Sequence, residues 1–215
     1  MKLKPLINSF IENKNHWYDG QFYDKIIAPN QDRMFCEIKS VIEQNSSVID
    51  IGCGTGRFSF YVSDKVNRIT GIDLSAKNIL TANKKLRKKQ NNNISFFHSD
   101  VSELSRQGLH FDYAVLTYVI HEVNPAGRIP LLKETMKLAD KLIIGDYLVP
   151  VKSGFWNFMN RVVEFLAGKE HFNNYKDFIK NGGLEVLLKN SGLKKLKTIS
   201  DNPVTSQIIL AAIND

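Results

Sequence analysis

The chain has few cysteines, and this scarcity excludes one way of stabilising a fold. Only Cys36 and Cys53 occur in 215 residues, and Cys53 lies within a glycine-rich segment. A disulfide framework is therefore not expected, and a reducing cytoplasm is the expected compartment. Long hydrophobic runs are also missing, since no stretch approaches the roughly 20 apolar residues that a membrane helix needs. We therefore expect no transmembrane segment.

Histidine is also sparse, and its distribution bears on metal binding. The five histidines show no pair at the short spacing typical of zinc ligands, so we predict no metal site.

Nucleic-acid binding is disfavoured by the distribution of the basic residues. The formal net charge is +7, but the densest basic cluster, residues 84–89, lies on a predicted helix without interleaved aromatic residues. We interpret this cluster as a solvated helix face and expect no nucleic-acid partner.

The residues that are present indicate one α/β domain over residues 1–215. Apolar residues make up 43% of the chain and include 13 phenylalanines, enough for a sizeable core. Helices are predicted within residues 1–45, and strands then alternate with helices up to residue 147. Such alternation implies crossover connections and a mainly parallel sheet that helices cover on both faces. The five strands predicted here span residues 47–51, 68–73, 94–98, 111–117 and 141–147.

The pattern changes after residue 150. Residues 150–192 are predicted to form a helical cap, inserted between the fifth strand and two closing strands at 193–200 and 204–212. The residues between the closing strands, Asp201-Asn202-Pro203, are so few that these strands must be antiparallel neighbours. Together the segments predict an α/β fold with a doubly wound, seven-stranded sheet, N-terminal helices and a helical cap.

A glycine-rich turn directly follows the first strand and reads DIGCGTG over residues 50–56. A strand that ends in glycines and opens into a helix lets a ligand lie against bare backbone. The dinucleotide-binding fingerprint would need glycine where Arg57 stands, and the phosphate-loop ending Gly-Lys-Ser/Thr is missing. Asp50 would repel a phosphate and suits a cationic or amine-bearing ligand. A tight structural turn without a ligand is the alternative.

Two further carboxylates follow neighbouring strands. Asp73 ends the second strand, where nucleoside-binding α/β folds place the acid that accepts the ribose hydroxyls. Asp100 follows the third strand and is placed to accept a hydrogen bond from the exocyclic amine of adenine. Because the carboxyl ends of parallel strands meet at one edge of the sheet, these acids and Asp50 are predicted to converge on one crevice. Helix capping is the alternative for both Asp73 and Asp100.

The order of these motifs resembles the class I S-adenosylmethionine (SAM)-dependent methyltransferases. The matching stretches within residues 45–148 are, in chain order, VIDIGCGTGRFS, GIDLS, FFHSDV and FDYAVLTYVIHEV. The resemblance implies a Rossmann-like fold with an antiparallel last strand, SAM as cofactor and S-adenosylhomocysteine (SAH) as product. The small-molecule branch, including the ubiquinone and menaquinone biosynthesis type, is the most similar, because the chain lacks a separate recognition module.

The resemblance also implies roles for individual residues at the carboxyl edge of the sheet. Gly52, Gly54 and Gly56 are expected to shape the turn against SAM. Asp50 is expected to hold the ammonium group of SAM, and Asp73 its ribose hydroxyls. The other expected cofactor contacts are Leu74, Asp100 and Val101 at the adenine, Thr117 and Tyr118 at the methionine end, and Tyr18 and Tyr23 as N-terminal aromatics. For these last two tyrosines, simple packing is the alternative.

The acceptor site is expected beside the fourth and fifth strand ends, under the aromatic segment 155–178. This segment is apolar over so much of its helical surface that we predict burial in the core or contact with an apolar acceptor. Three residues are predicted as candidate bases for an acceptor that carries a proton, namely His121, His171 and Tyr147. A purely structural role is the alternative for each of them.

Some acceptor classes are disfavoured by missing motifs. No Asn/Asp-Pro-Pro-Tyr/Phe sequence follows the fourth strand, which disfavours methylation of adenine or glutamine nitrogen. No Pro-Cys dipeptide occurs, which excludes the cytosine C5 mechanism. A small-molecule or lipid-like acceptor remains, methylated on oxygen, nitrogen or carbon. The alternative function is a non-catalytic protein of the same fold that binds SAM or SAH.

Overall fold

A computed structural model describes residues 31–151, 153–200 and 205–213, and its strands within these ranges form one sheet. The strands are β1 Ser47–Ile51, β2 Arg68–Asp73, β3 Ile94–His98, β4 Phe111–Thr117, β5 Ala139–Tyr147, β6 Leu193–Ser200 and β7 Ser206–Ile213. Their order across the sheet is β3-β2-β1-β4-β5-β7-β6. Strands β1 to β5 are parallel, whereas β7 runs antiparallel to both of its neighbours. The predicted Rossmann-like, seven-stranded sheet is confirmed.

Helices connect the parallel strands and form the cap. Those in the described ranges are α1 Asp32–Val41, α2 Arg57–Val62, α3 Ala76–Lys89, α4 Val101–Arg106, α5 Pro125–Met136, α6 Phe155–Ala167, α7 Lys169–Lys180 and α8 Gly183–Ser191. Strand β1 pairs with β2 on one side and with β4 on the other. The crossovers therefore leave in opposite directions at β1 and β4, and the crevice beyond their carboxyl ends is where open α/β sheets bind ligands.

Each face of the sheet carries its own apolar core, because successive side chains of a strand point to opposite faces. On one face Ile49 packs with Leu132 of α5 and Leu188 of α8. On the other face Val48 packs with Ile38 of α1 and Ile79 of α3. Helices on both faces fix the sheet as a rigid layer, and the loops at its carboxyl edge are built on that layer.

Helix α6 contradicts one of the two outcomes predicted for its apolar stripe, burial in the core, while contact with an apolar acceptor stays a prediction. Phe155 and Trp156 are 66% and 64% exposed, and Phe158, Phe165 and Leu166 are exposed as well. The buried residues of α6 are instead Asn157 and Glu164. Glu164 points inward because the buried side chains of Tyr147 and His171 bond to its carboxylate. Hydrophobic periodicity therefore identified the helix correctly and its buried face wrongly.

The predicted strands agree with the observed strands within two residues. Strand β5 begins two residues before the predicted start, and β7 begins two residues after it. Residues 1–30 and 201–204 lie outside the described residues. The predictions about helices before residue 31, about Tyr18 and Tyr23, and about the turn at 201–203 therefore remain untested. The single domain over residues 1–215 likewise stays a prediction. Within the described ranges, no helix combines the length and the apolar character needed to cross a membrane.

Candidate active site

A cavity of about 730 Å³ opens at the carboxyl edge of the sheet. Its floor is formed by the glycine turn after β1, and its walls by the residues that follow β2 and β4. The junction of α6 and α7, residues 167–171, closes one side. A volume of roughly 300–1,000 Å³ is typical of small-molecule sites. Among the predicted site residues, those that line the cavity are Gly52, Gly54, Asp73, Leu74, Thr117, Tyr118 and His171.

Glycine is required at two positions of the turn for different structural reasons. Gly54 has a φ of +54°, and a Cβ built there would meet no atom within 4 Å, so its bare backbone faces open space. Gly56 has a φ of +82°, and a Cβ there would lie 2.4 Å from Cζ of Phe96. Gly56 is therefore required for packing of α2 against β3, whereas Gly54 offers an uncovered backbone to a ligand.

Asp73 holds the glycine turn in place. Its Oδ2 accepts a hydrogen bond from the Gly54 amide at 2.8 Å, and its Oδ1 accepts one from the Ser75 amide at 2.7 Å. The cap of α3 is Ser75, whose hydroxyl accepts from the Asn78 amide. Ser75, and not Asp73, is therefore the residue that caps α3. The Asp73 carboxylate lies in the cavity wall, next to Leu74.

Asp50 is enclosed, with an exposure of 1%. Its Oδ2 accepts a hydrogen bond from the Ser59 hydroxyl at 2.6 Å, while its buried Oδ1 has no hydrogen-bond partner among the described residues. Burial raises the pKa of Asp50 to about 7, and the nearby Asp73 carboxylate also raises it. The carboxyl group is therefore poised to ionise when a positively charged donor approaches it.

The raised pKa of Asp50 makes the free energy of unfolding depend on pH. Between about pH 4 and pH 7 the unfolded chain has lost this proton and the folded chain keeps it, so stability falls as pH rises. The side-chain amide of the variant Asp50→Asn resembles the protonated acid at every pH. We expect the stability of Asp50→Asn relative to the parent protein to increase between pH 5 and pH 7. Urea unfolding at both pH values tests this, and a difference that does not change with pH would contradict it.

Asp100 and Val101 do not line the cavity. The Asp100 side chain caps α4, since its Oδ1 accepts from the Glu103 amide at 3.0 Å and from the Ser102 hydroxyl at 2.7 Å. Val101 is buried in the core. The structure therefore shows Asp100 in the alternative role of a helix cap. The contact of Asp100 and Val101 with adenine stays a prediction.

Thr117 ends β4 and Tyr118 directly follows it, and both residues border the cavity. The Tyr118 backbone has a φ of +56°, which turns the chain sharply after the strand. Its hydroxyl lies 2.7 Å from Oγ of Ser206 on β7. Burial raises the pKa of Tyr118 to about 12, so the phenol stays neutral at physiological pH.

A buried cluster of acids and imidazoles lies behind the cavity. His121 is 2.7 Å from Oδ1 of Asp146 through Nδ1, and 3.6 Å from Oε1 of Glu164 through Nε2. Glu164 in turn lies 2.6 Å from Nε2 of His171 and accepts a hydrogen bond from the Tyr147 hydroxyl, also at 2.6 Å. We call these residues, together with Glu122, the His–Glu cluster.

The charges of the His–Glu cluster stabilise one another. Burial alone would lower the pKa of His121, but Asp146 and Glu164 raise it well above its usual value. Burial would likewise raise the pKa of Glu164, yet His121 and His171 hold it well below its usual value. Desolvation at the cavity wall raises the pKa of Glu122 to about 7, although 38% of its side chain is exposed. Three carboxyl groups and two imidazoles thus share a small volume.

Sequence reasoning missed Glu122, Glu164 and Asn174. Glu122 and Asn174 line the cavity beside His171, and the Asn174 amide donates to the Glu122 carbonyl at 2.8 Å. Arg128 fixes Asn174 by donating to its carbonyl at 2.6 Å. These residues come from α5, α6, α7 and the loop after β4, and no spacing along the chain links them. The one available signal was the placement of Glu164 as the single acidic residue of α6.

Comparison with known proteins finds similarity over the part of the chain that contains β1 to β4. The profile of a methyltransferase domain family matches residues 48–141. Over 89 residues the chain is 37% identical to a malonyl-[acyl-carrier protein] O-methyltransferase from Paenibacillus sp. (strain JDR-2). That match covers 37% of this chain and 32% of the relative. The chain therefore aligns with about a third of the length of this curated relative.

Solved structures share the fold over nearly the whole chain. Magnesium protoporphyrin IX methyltransferase from Synechocystis PCC 6803, solved with bound SAH, superposes with a TM-score of 0.63 at 19% identity and covers 92% of this chain and 91% of its own. The [4+2]-cyclase SpnF superposes with a TM-score of 0.62 at 16% identity, covering 85% and 80%. At these identities the likeness establishes the fold. The sequence match to a methyltransferase domain is confined to residues 48–141, so it describes that part of the chain.

Proposed function

We propose that this chain binds SAM in the cavity and transfers its methyl group to a small molecule. The observation that carries the proposal is the uncovered backbone of Gly54 beside the Asp73 carboxylate. A bare backbone admits a ligand in close contact, and a carboxylate at the end of β2 accepts the hydroxyls of a ribose.

The residues of the turn fit the chemical groups of SAM. Asp73 would accept from the ribose hydroxyls, and Leu74 would pack on the adenine. The unpaired Oδ1 of Asp50 is a buried acceptor two residues before Gly52, which suits the ammonium group. A buried acceptor without a donor costs roughly 1–3 kcal/mol, so a donor from a ligand, directly or through water, would relieve that cost.

When bound, SAM supplies a methyl group on a positively charged sulfur. An acceptor would attack the methyl carbon in line and displace the sulfur as SAH. The protein contributes mainly alignment of the acceptor with that carbon. Of the three predicted bases, only His171 lines the cavity, whereas His121 and Tyr147 lie behind it. We therefore expect direct acceptor contact from His171, Glu122 and Asn174. Polar side chains at this end favour an acceptor with a polar reacting group.

A thermal-shift panel tests the cofactor proposal. A ligand at 100 times its dissociation constant stabilises a fold by about 2.7 kcal/mol. We expect SAM and SAH to raise the melting temperature of the protein and NAD to leave it unchanged, because Arg57 replaces the third glycine of the dinucleotide fingerprint. A shift with NAD and none with SAH would contradict the proposal.

Turnover separates the enzyme from the alternative of a non-catalytic SAM-binding protein. The [4+2]-cyclase among the structural relatives illustrates that this fold also supports other reactions. SAH release from SAM, measured over a panel of phenols, carboxylic acids and amines, is the direct assay. Cofactor binding without SAH release for any acceptor class would favour the non-catalytic alternative.

A further inference from the structure

The His–Glu cluster brings metal-ligating atoms together. His121, Glu122 and His171 each offer one ligand atom, and the three atoms lie within 4.8 Å of one another. The Glu164 carboxylate lies between the two imidazoles, 3.6 Å from His121 and 2.6 Å from His171. We propose that these four side chains form a binding site for one divalent transition-metal ion at the acceptor end of the cavity.

The types of donor atoms select the class of ion. Two imidazole nitrogens with carboxylate oxygens suit Zn²⁺, Fe²⁺, Co²⁺ or Mn²⁺, whereas Mg²⁺ and Ca²⁺ prefer oxygen ligands alone. Metal–ligand bonds to nitrogen and oxygen are about 2.0–2.2 Å long, so neighbouring ligand atoms around a tetrahedral ion lie about 3.3–3.6 Å apart. The ligand atoms of His121, Glu122 and His171, which lie within 4.8 Å of one another, would therefore have to approach by up to about 1.5 Å, and the contact between His171 and Glu164 would have to open.

The residues around the cluster orient its imidazoles as metal sites require. Metal-bound histidines commonly donate their second nitrogen to a carboxylate, which fixes the ring. Asp146 occupies this position for His121, at 2.7 Å from Nδ1, so that Nε2 points toward Glu164. The Asp146 carboxylate is itself held by the amides of His121 and Tyr147. The Tyr147 hydroxyl similarly orients Glu164.

The position of the cluster gives the ion a role in the proposed methyl transfer, on which this part of the inference rests. Glu122 and His171 line the cavity, so an ion between them faces the space for the acceptor. A bound divalent ion lowers the pKa of a hydroxyl that coordinates it. The acceptor class is then a phenol or enol. Its proton leaves to solvent, and the O–C bond forms as the S–C bond of SAM breaks.

Metal titration of chelator-treated protein tests the site. We expect calorimetry to show one Zn²⁺ per chain, and Co²⁺ to give visible absorption bands from bound imidazole and carboxylate ligands. His171→Ala should weaken Zn²⁺ binding more than 100-fold. Asp146→Asn should weaken it about 10- to 100-fold, as other losses of a carboxylate behind a ligating histidine do. Circular dichroism of each variant verifies that it is folded.

His110→Ala is the matched control, because His110 forms an exposed pair with Asp140 at 2.8 Å, away from the cluster. It should leave Zn²⁺ affinity unchanged.

Absence of stoichiometric Zn²⁺ binding, or affinity that is equal in His171→Ala and the parent protein, would overturn the inference. The SAH thermal shift in metal-free protein is a separate readout. A shift without Zn²⁺ binding would remove the metal site alone, and Zn²⁺ binding without a shift would contradict the proposed function.

Discussion

Gly54→Leu is expected to abolish measurable SAH binding, with a loss of affinity of more than 100-fold. A Cβ at Gly54 meets no protein atom within 4 Å, so a leucine side chain would extend into the space proposed for the cofactor. The backbone φ of +54° adds a strain of about 1–2 kcal/mol to any residue other than glycine, and this strain lowers stability. Isothermal titration calorimetry with SAH measures the affinity.

Gly108→Leu separates backbone strain from blockage of the cavity. Gly108 has a φ of +65°, and a Cβ added there would meet no atom within 4 Å, but this glycine lies on an exposed turn that does not line the cavity. We expect Gly108→Leu to lose stability by a similar amount and to bind SAH normally. Equal SAH affinity in Gly54→Leu and Gly108→Leu would mean that the cofactor does not lie against Gly54.

Asp73→Ala is expected to weaken SAH binding by roughly 1.5–3 kcal/mol, or about 10- to 150-fold, because hydrogen bonds to a charged group are lost. The same change removes the bonds from the Gly54 and Ser75 amides, so the turn also loses its support. Calorimetry of SAH binding and urea unfolding of the variant measure the two effects separately.

Asp112→Ala controls for the structural part of that loss. The Asp112 carboxylate also accepts a backbone hydrogen bond, from the Ser47 amide at 2.6 Å, but it lies at the opposite, amino end of the sheet. We expect a comparable loss of stability and unchanged SAH affinity. If Asp73→Ala bound SAH as well as Asp112→Ala does, the ribose would have to be held by other residues.

Local sequence patterns predicted the sheet and the glycine turn beside Asp73, whereas Asp100 and Val101 do not line the cavity. Strand β1, the glycine turn and Asp73 follow one another closely in sequence, and parallel pairing alone brings their carboxyl ends to one edge. The cap of α3 by Ser75 is equally local, because the capping interaction spans only three residues. Wherever function depends on a strand end or a tight turn, the chain order already specifies the neighbours.

The acceptor end could not be predicted in the same way. His121, Glu164 and His171 meet only because α6 turns its polar face inward, and this follows from tertiary contacts with Tyr147 rather than from periodicity. The expectation of no metal site considered spacing along the chain, whereas the cluster joins residues more than 40 positions apart in sequence. Long-range convergence of this kind is invisible to motifs.

A crystal structure of the protein with SAH would test the central claim most directly. We predict that the ribose hydroxyls of SAH lie within hydrogen-bond distance of the Asp73 carboxylate. The bound SAH should pack against the main chain of Gly54, and its sulfur should point toward Glu122 and His171. SAH bound elsewhere on the protein, or with its adenosine away from Asp73, would contradict the account.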